Sequence, residues 1–456
     1  MEEIQENIQF QLTNELIEKV EIFVEDENDK DLKALLSEYH YADIAEILDE
    51  LDSEDAVYVI KLLDSDTTSD ILTELDEDNR EKILQNLSAK EIAEEVEELD
   101  TDDAADIIAE LPEERQEAVI SQIEDEEHKA EIQELLAYAD NTAGSLMAKE
   151  LVKVYETWTV AGCLRRIRGQ AKEVTRVHSI YVVNKEEKLI GRLSLKDLIV
   201  AKSDQKIADI AKDNVDFVHV NDDDEDVAKV MAKYDLEAIP VVDDKQTLLG
   251  RITIDDIVDV LKDEAEKDYQ LAAGITQDVE ADDSIIELTR ARLPWLFLGL
   301  IGGVGAFIIM EGFQESFSKY AVLFFFTPLI AAMAGNVGVQ SSAIIVQGLA
   351  NDDVKGSINS RLIKEMLLAA LNGTILALFL FLFVWITKGD FYTALAISVS
   401  LIAVIIVAGL IGTFVPLFLD KRGIDPAIAT GPFITTSNDI FGILIYFWIA
   451  KLILGI

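Results

Sequence analysis

Residues 392–419 read YTALAISVSLIAVIIVAGLIGTFVPLFL, twenty-eight successive positions without a charge. An α-helix rises about 1.5 Å per residue, so about 20 apolar residues cross the hydrocarbon core of a bilayer. This stretch therefore places the chain among α-helical membrane proteins. Working outward from it, four more stretches meet the same requirement, at 293–310, 320–349, 362–386 and 427–454. The spacing predicts an all-α, five-helix membrane domain over 291–456.

Charge separates that domain from the rest of the 456-residue chain. From residue 291 onward nine acids face nine bases, so the formal charge of −48 sits entirely on residues 1–290. A surface that acidic repels nucleic acid and concentrates cations. Arg290, Arg292, Lys355, Arg361, Lys364, Lys421 and Arg422 fall on one side of the five spans, and Lys319 and Lys388 on the other, with Lys451 near the terminus. The positive-inside rule then puts the N-terminus in the cytoplasm and the C-terminus outside. The opening MEEIQENIQF lacks the basic-then-apolar pattern of a signal peptide. One cysteine, Cys163, excludes a disulfide framework, and four scattered histidines offer no zinc or copper set. A metal bound here is hard and oxygen-liganded.

The acidic half is itself modular. Leu51, Leu63, Leu75, Leu87, Leu99, Leu111 and Ile123 recur every twelve residues, each followed by a polar turn and one apolar helical stretch. Helices that short are marginal alone, so they must stack as an α-solenoid, assigned here to 1–137. Downstream, residues 180–197 (IYVVNKEEKLIGRLSLKD) return 59 positions later as residues 239–256 (IPVVDDKQTLLGRITIDD). Both read strand, turn, strand, then a helix opened by Ser194 or Thr253 with Asp197 or Asp256 three residues on. The doubled pattern resembles a tandem of CBS domains, α/β modules that often sense adenine nucleotides. They are expected at 138–262 (138–202 and 203–262), with a connecting helix over 263–290. Two readings of Ser194, Asp197, Thr253 and Asp256 stay open: ribose and phosphate contacts for ATP, or a helix-capping box in each copy.

Two features inside the spans and one set of acids in the cytosolic half carry chemistry. Asp439 follows Thr435, Thr436, Ser437 and Asn438 midway along the fifth span. An ionisable group at that depth costs several kcal/mol unless it faces water, a partner or an ion. The segment 334–340 (AGNVGVQ) combines glycines with the amides of Asn336 and Gln340. Asp222 to Asp226 form an acidic run, and Asp255, Asp259 and Asp263 follow at helical spacing. Like charges so placed repel, and a bound cation offsets the repulsion.

Solenoid, paired CBS modules, connecting helix and five spans in this order resemble the MgtE family of magnesium channels, over nearly the whole chain. AGNVGVQ, the segment 425–433 (DPAIATGPF) and Asp439 look like that family's pore elements. The resemblance implies a homodimer in the cell membrane conducting Mg2+, with Asp439 as the pore carboxylate and Gly335, Asn336, Gln340 and Asn438 around the hydrated ion. It implies regulatory Mg2+ sites, with Asp223, Glu225, Asp226, Asp256, Asp259, Glu264 and Asp268 as the matching carboxylates. Lys267-Asp268 stands where two adjacent acids are expected, which weakens one of those sites. The alternatives are a CBS-regulated transporter of Co2+ or Mn2+ and a CBS-regulated anion channel. The last predicts basic or hydroxyl-rich pore elements in place of Asp439. A pump would need a phosphate-binding GxxxxGK[ST] loop, which is missing, and no catalytic constellation points to an enzyme.

Overall fold

The computed structural model describes residues 10–456 apart from 173, 175, 278, 280–282, 352, 353, 355 and 430. The chain divides into two compact units, 1–261 and 262–456.

The first unit opens with ten short helices, from α1 (Asn14–Glu25) to α10 (Glu126–Leu135). From α4 (Ser53–Leu62) through α9 (Glu113–Ile120) a helix begins every twelve residues, at 53, 65, 77, 89, 101 and 113. The polar turns start them as the sequence predicts. Asp64 accepts from the Thr67 amide, and Ser88 with Glu91 forms a reciprocal capping box. Six of the seven repeated positions are buried, with Leu87 and Leu111 at 4 % exposure and Leu63 half-buried. Each buried leucine contributes about 2 kcal/mol. Contacts skip one helix: those starting at 41, 65, 89 and 113 pack in series, and side chains thirty residues apart tie the turns together. Asn79 donates to the Asp49 carboxylate at 3.2 Å, Ser65 to Glu95 at 2.9 Å, and Arg80 grips Glu110. The result is an α-solenoid.

Two copies of a three-stranded sheet follow. In the first, β1 (Val152–Tyr155) pairs parallel to β2 (Ile180–Val183), which pairs antiparallel to β3 (Leu189–Leu193). In the second, β4 (Val218–His219), β5 (Ala238–Val242) and β6 (Leu248–Thr253) repeat that order. Both copies carry a register shift at the same place, between Val182 and Val183 and between Val241 and Val242. The central strands β2 and β5 are buried throughout, as their unbroken apolar runs require. Helices α11 (Val160–Gln170) and α12 (Leu195–Val200) complete the first copy, and α13 (Asp224–Tyr234) and the start of α14 (Ile254–Ala273) the second.

The single connecting helix expected over 263–290 is not continuous. Its first part belongs to α14, which starts at Ile254 and stops at Ala273. Gly274 there adopts φ +82, a left-handed conformation that ends a helix. The next helix, α15 (Ile285–Phe313), is opened by a capping box of Ser284 with Glu287.

In the second unit α15, α16 (Thr327–Ala350, preceded by a 3-10 turn Ser318–Phe326), α17 (Ile358–Lys388), α18 (Phe391–Asp420) and α19 (Gly431–Leu454) are five helices long and apolar enough to cross a membrane. The charge-free α18 is the most buried of them, packing against α16, α17 and α19. Its crossing with α16 depends on Gly338 and Gly412. A methyl group on Gly412 would overlap the Gly338 carbonyl, and one on Gly338 would overlap the Asn438 amide. Small residues at such a point let backbones approach where apolar side chains gain nothing by leaving lipid. Gly338→Val and Gly412→Val are each expected to cost about 1–3 kcal/mol or more through overpacking. The check is the melting temperature and monodispersity of the detergent-solubilised protein, with Gly299→Ala, at an open position, as the unaffected control.

Candidate functional site

In the membrane unit, the segment containing Asp439 is held by its neighbour. Asn438 is 1 % exposed, donates through Nδ2 to the Ala334 carbonyl at 3.3 Å, and has no hydrogen-bond partner for Oδ1 among the described residues. That bond joins α19 to α16 in the middle of the bundle. Thr435 lies one turn earlier against Gly335, and Gly442 one turn later against Ala334. Gly335 and Asn438 are thus packing positions, and Asp439, next along α19, is half-buried. Asn336 and Gln340, one turn apart on α16, are both exposed.

A second acid lies within a span. Glu365, two turns into α17, accepts a hydrogen bond from the Ser341 hydroxyl of α16 at 2.7 Å, and Gly409 of α18 leaves it room. The sequence boundaries placed it near the end of its span, so it drew no notice there.

Pro432 at the head of α19 packs within the same unit against Gly274, and Gly431 (φ +42) against the carbonyl of Ala272. The last turn of α14 therefore docks on the first turn of α19, two turns before Asp439.

Of the seven carboxylates expected to bind metal, Asp223, Glu225, Asp226, Asp256 and Asp259 lie in the first unit. Asp223 caps α13 by accepting from the Glu225 amide, and Lys229 pairs with Glu225 at 2.8 Å and with Asp226 at 3.7 Å. Burial first, and the charge of Asp259 second, raise the carboxyl of Glu74 on the solenoid. Glu264 pairs with Lys267 at 2.6 Å in the other unit, where Asp268 also lies. Asp256 alone joins a larger cluster, and its partners come from the solenoid.

That cluster surrounds α8 (Thr101–Ala109). Asp100, Asp102 and Glu150 bring carboxylate oxygens within 4.8 Å of one another. Glu150 accepts from the amide and hydroxyl of Thr101 at 3.2 and 2.9 Å. Arg251 of β6, itself buried, donates to the Glu150 carbonyl at 2.5 Å and to Asp100 at 3.1 Å. Burial first, and the charge of Asp256 second, push Asp103 and Asp106 up to about 7 and Asp102 well above its usual range. Burial raises Asp100 and Asp256 to about 6. So many carboxylates around one arginine, with Arg80 engaged by Glu110, offer the kind of oxygen donors that a hard divalent cation takes. The sequence signal was the spacing of Asp102, Asp103 and Asp106, which sit on one helix turn.

The four nucleotide candidates part company. Ser194 and Asp197 form the reciprocal capping box, with Ser194 donating to Asp197 at 2.7 Å. They also line an open cleft of about 350 Å3 between the two copies, together with Arg192, Lys212 and Tyr234. Thr253 and Asp256 share the same bonds at 2.9 Å, but Thr253 is buried and Asp256 lies beneath the solenoid acids. Of the two matching positions, Ser194 and Asp197 face an open cleft, whereas Thr253 and Asp256 lie among carboxylates.

These features define a class: a polytopic membrane protein with an acidic α-solenoid and a CBS-type pair. Comparison with known proteins agrees. Residues 327–449 match the family model described as a divalent cation transporter, 39–141 the MgtE intracellular N domain, and 143–204 and 207–263 each a CBS domain. The chain is 39 % identical over 319 residues to the magnesium transporter MgtE of Enterococcus faecalis and 36 % identical over 325 residues to that of Thermus thermophilus. These alignments cover 70 % of this chain and 70 % and 72 % of the relatives. A crystal structure of the cytosolic domain of the Mg2+ channel MgtE in complex with ATP is 33 % identical, with a TM-score of 0.50, covering 54 % of this chain and 99 % of that one. The chain belongs to the MgtE family.

The raised carboxyls make stability depend on pH. Between the unfolded value near 3.8 and the folded values of about 6 to 7, the native state holds more protons than the unfolded one, so stability falls as pH rises through that window. In chelator, the melting temperature of the full chain is expected to drop between pH 5 and pH 7.5. Millimolar Mg2+ is expected to restore more of it at pH 7.5 than at pH 5, and Asp102→Asn with Asp103→Asn to flatten the metal-free slope.

Proposed function

We propose that the chain is one subunit of a homodimeric Mg2+ channel or transporter in the cell membrane, taking Mg2+ into the cytoplasm and closing when cytoplasmic Mg2+ is high. Asp439 is the observation that carries this reading. It is a carboxylate halfway along a membrane helix, fixed in place by its neighbour's bond to α16. Mg2+ gives up its waters reluctantly, so a carboxylate that attracts the hydrated ion suits it better than a full cage of protein ligands. Exposed Asn336 and Gln340 would complete the path against a second copy, through the ion's waters. A pore built on a carboxylate argues against the anion-channel reading, and the same oxygen donors accept Mn2+ or Co2+.

The homodimer has independent support. Leu195 and Ile254, and Ile199 and Val258, occupy matching positions of the CBS repeat, and all four are exposed, from 39 % for Ile254 to 76 % for Ile199. A repeated apolar face of this kind suits a twofold partner. The N-terminus is read as cytoplasmic and the C-terminus as external.

Gating follows from the carboxylate cluster. Mg2+ among Asp100, Asp102, Glu150 and Asp256 holds the solenoid against the second CBS copy; without the ion, repulsion loosens that contact. Binding shifts such an equilibrium only by favouring one state. The message reaches the pore through α14, whose last turn meets the first turn of α19. ATP is read into the open cleft, with Arg192 and Lys212 for its phosphates, Tyr234 for its base and Asp197 for its ribose; the relative solved with ATP supports this.

Flux into proteoliposomes tests these claims. Asp439→Asn is expected to abolish Mg2+ uptake by a folded dimer, and wild-type flux would overturn the pore assignment. Asp102→Asn with Asp256→Asn is expected to conduct at Mg2+ concentrations that shut the wild type. Unchanged shut-off would leave the cluster structural and the pore intact. For the nucleotide, ATP should raise the melting temperature of the wild type and leave Asp197→Ala unmoved.

A further inference from the structure

Lys421 and Arg422 directly follow α18, in the turn that closes it, and neither forms an ion pair among the described residues. Phe414, Phe418 and Arg422 follow one another at four-residue spacing, which places them on one face of the helix. The two phenyl rings stack 5.8 Å apart at 26°, and the Arg422 guanidinium lies 5.0 Å from the centre of the Phe418 ring. With Lys421 and with Ile358 from the first turn of α17, they line a cavity of about 330 Å3. Both rings are open outward, Phe414 at 46 % and Phe418 at 42 % exposure.

The position of this cavity determines what can fill it. It lies where α18 stops and α17 begins, at the end of two spans and so at headgroup depth. Its wall toward the middle of the span is aromatic, and its wall toward water carries two cations. A ligand matching both must be amphipathic, with an anionic head and an apolar body. Among the described residues, Asp425 is turned into its own loop, accepting the Ala427 amide at 2.8 Å, and Asp420 does not line the cavity. Free phosphate would meet the cations but gain nothing from the rings. Guanidinium and ammonium side chains at a membrane surface attract anionic lipid, and aromatic rings sit at the same level.

We propose that this cavity binds an anionic phospholipid, its phosphate against Lys421 and Arg422 and an acyl chain along Phe414 and Phe418. Such a lipid would brace the start of α17 against the end of α18, next to the loop that leads into α19. The inference requires only that the five helices span a bilayer; it does not depend on the cation or on the orientation.

Native mass spectrometry of the full chain in detergent tests it, with phosphatidylglycerol, phosphatidylcholine and inorganic phosphate offered separately. The wild type is expected to retain phosphatidylglycerol over phosphatidylcholine and to retain no phosphate. Replacing both cations, Lys421→Gln with Arg422→Gln, should lower phosphatidylglycerol retention roughly thirty-fold, the product of two surface charges. Lys364→Gln, an exposed base near the start of α17 but outside the cavity, should leave retention unchanged, and Lys421→Arg should preserve it. Equal retention of the two lipids, binding of phosphate alone, or an equal loss from Lys364→Gln would each overturn the proposal. Should the double variant fail to fold, Arg422→Gln alone carries the same comparison.

Discussion

Asp102 is buried on α8, where the charges of Asp256, Asp103, Asp100 and Glu150 all reach it, and the arginine among them, Arg251, donates to Asp100. Two unit charges 4 Å apart repel by about 4 kcal/mol at the effective dielectric of a partly buried pair. Several such pairs rival the whole net stability of an ordinary domain. The contact between α8 and the second sheet therefore cannot stand as bare carboxylate on bare carboxylate. Protons or a cation relieve that repulsion, and groups raised to about 6 or 7 hold progressively fewer protons as pH rises through neutrality. The buried apolar cluster of the solenoid runs on into the second CBS copy, with Ile239, Ile252 and Ile257 in the same core as its repeated leucines.

The same logic explains why the two CBS clefts differ although their sequences repeat in register. Ser194-Asp197 and Thr253-Asp256 make the same local bonds. In the first copy the capping carboxylate faces an open cleft with Arg192 and Lys212, and its hydrogen bonds hold its carboxyl below the usual range. In the second, burial against the solenoid raises Asp256 to about 6. One capping box has become an accessible polar site, the other a member of an acidic cluster. Environment, not local sequence, separates their chemistry.

In the membrane unit the governing constraint is the absence of water to satisfy polar groups. Asn438 answers to the Ala334 carbonyl and Ser341 to Glu365. Glycines at the α16–α18 crossing let those side chains reach their partners. The helix carrying Asp439 is consequently fixed by its neighbours on two sides, while the head of α19 leans on the end of α14. A movement of α14 would be felt where α19 begins.

Much of this architecture was legible in the chain itself. Twenty-residue apolar runs, a twelve-residue leucine period and a 59-residue repeat each encode one element or one stacking unit, and backbone geometry converts them directly into helices and strands. Asp439 was legible for the same reason, since an acid inside an apolar run is conspicuous. The sequence also suggested that acids would gather, but the conspicuous run from Asp222 to Asp226 is largely a capped and lysine-paired helix start. The connecting helix read as continuous is broken at Gly274, because a glycine at φ +82 reads no differently in sequence from one inside a helix. Only tertiary structure brought Asp100, Asp102 and Glu150 to Asp256 and Arg251, residues up to 156 positions apart. Periodicity is a local property, whereas electrostatic crowding depends on which surfaces the finished fold presses together.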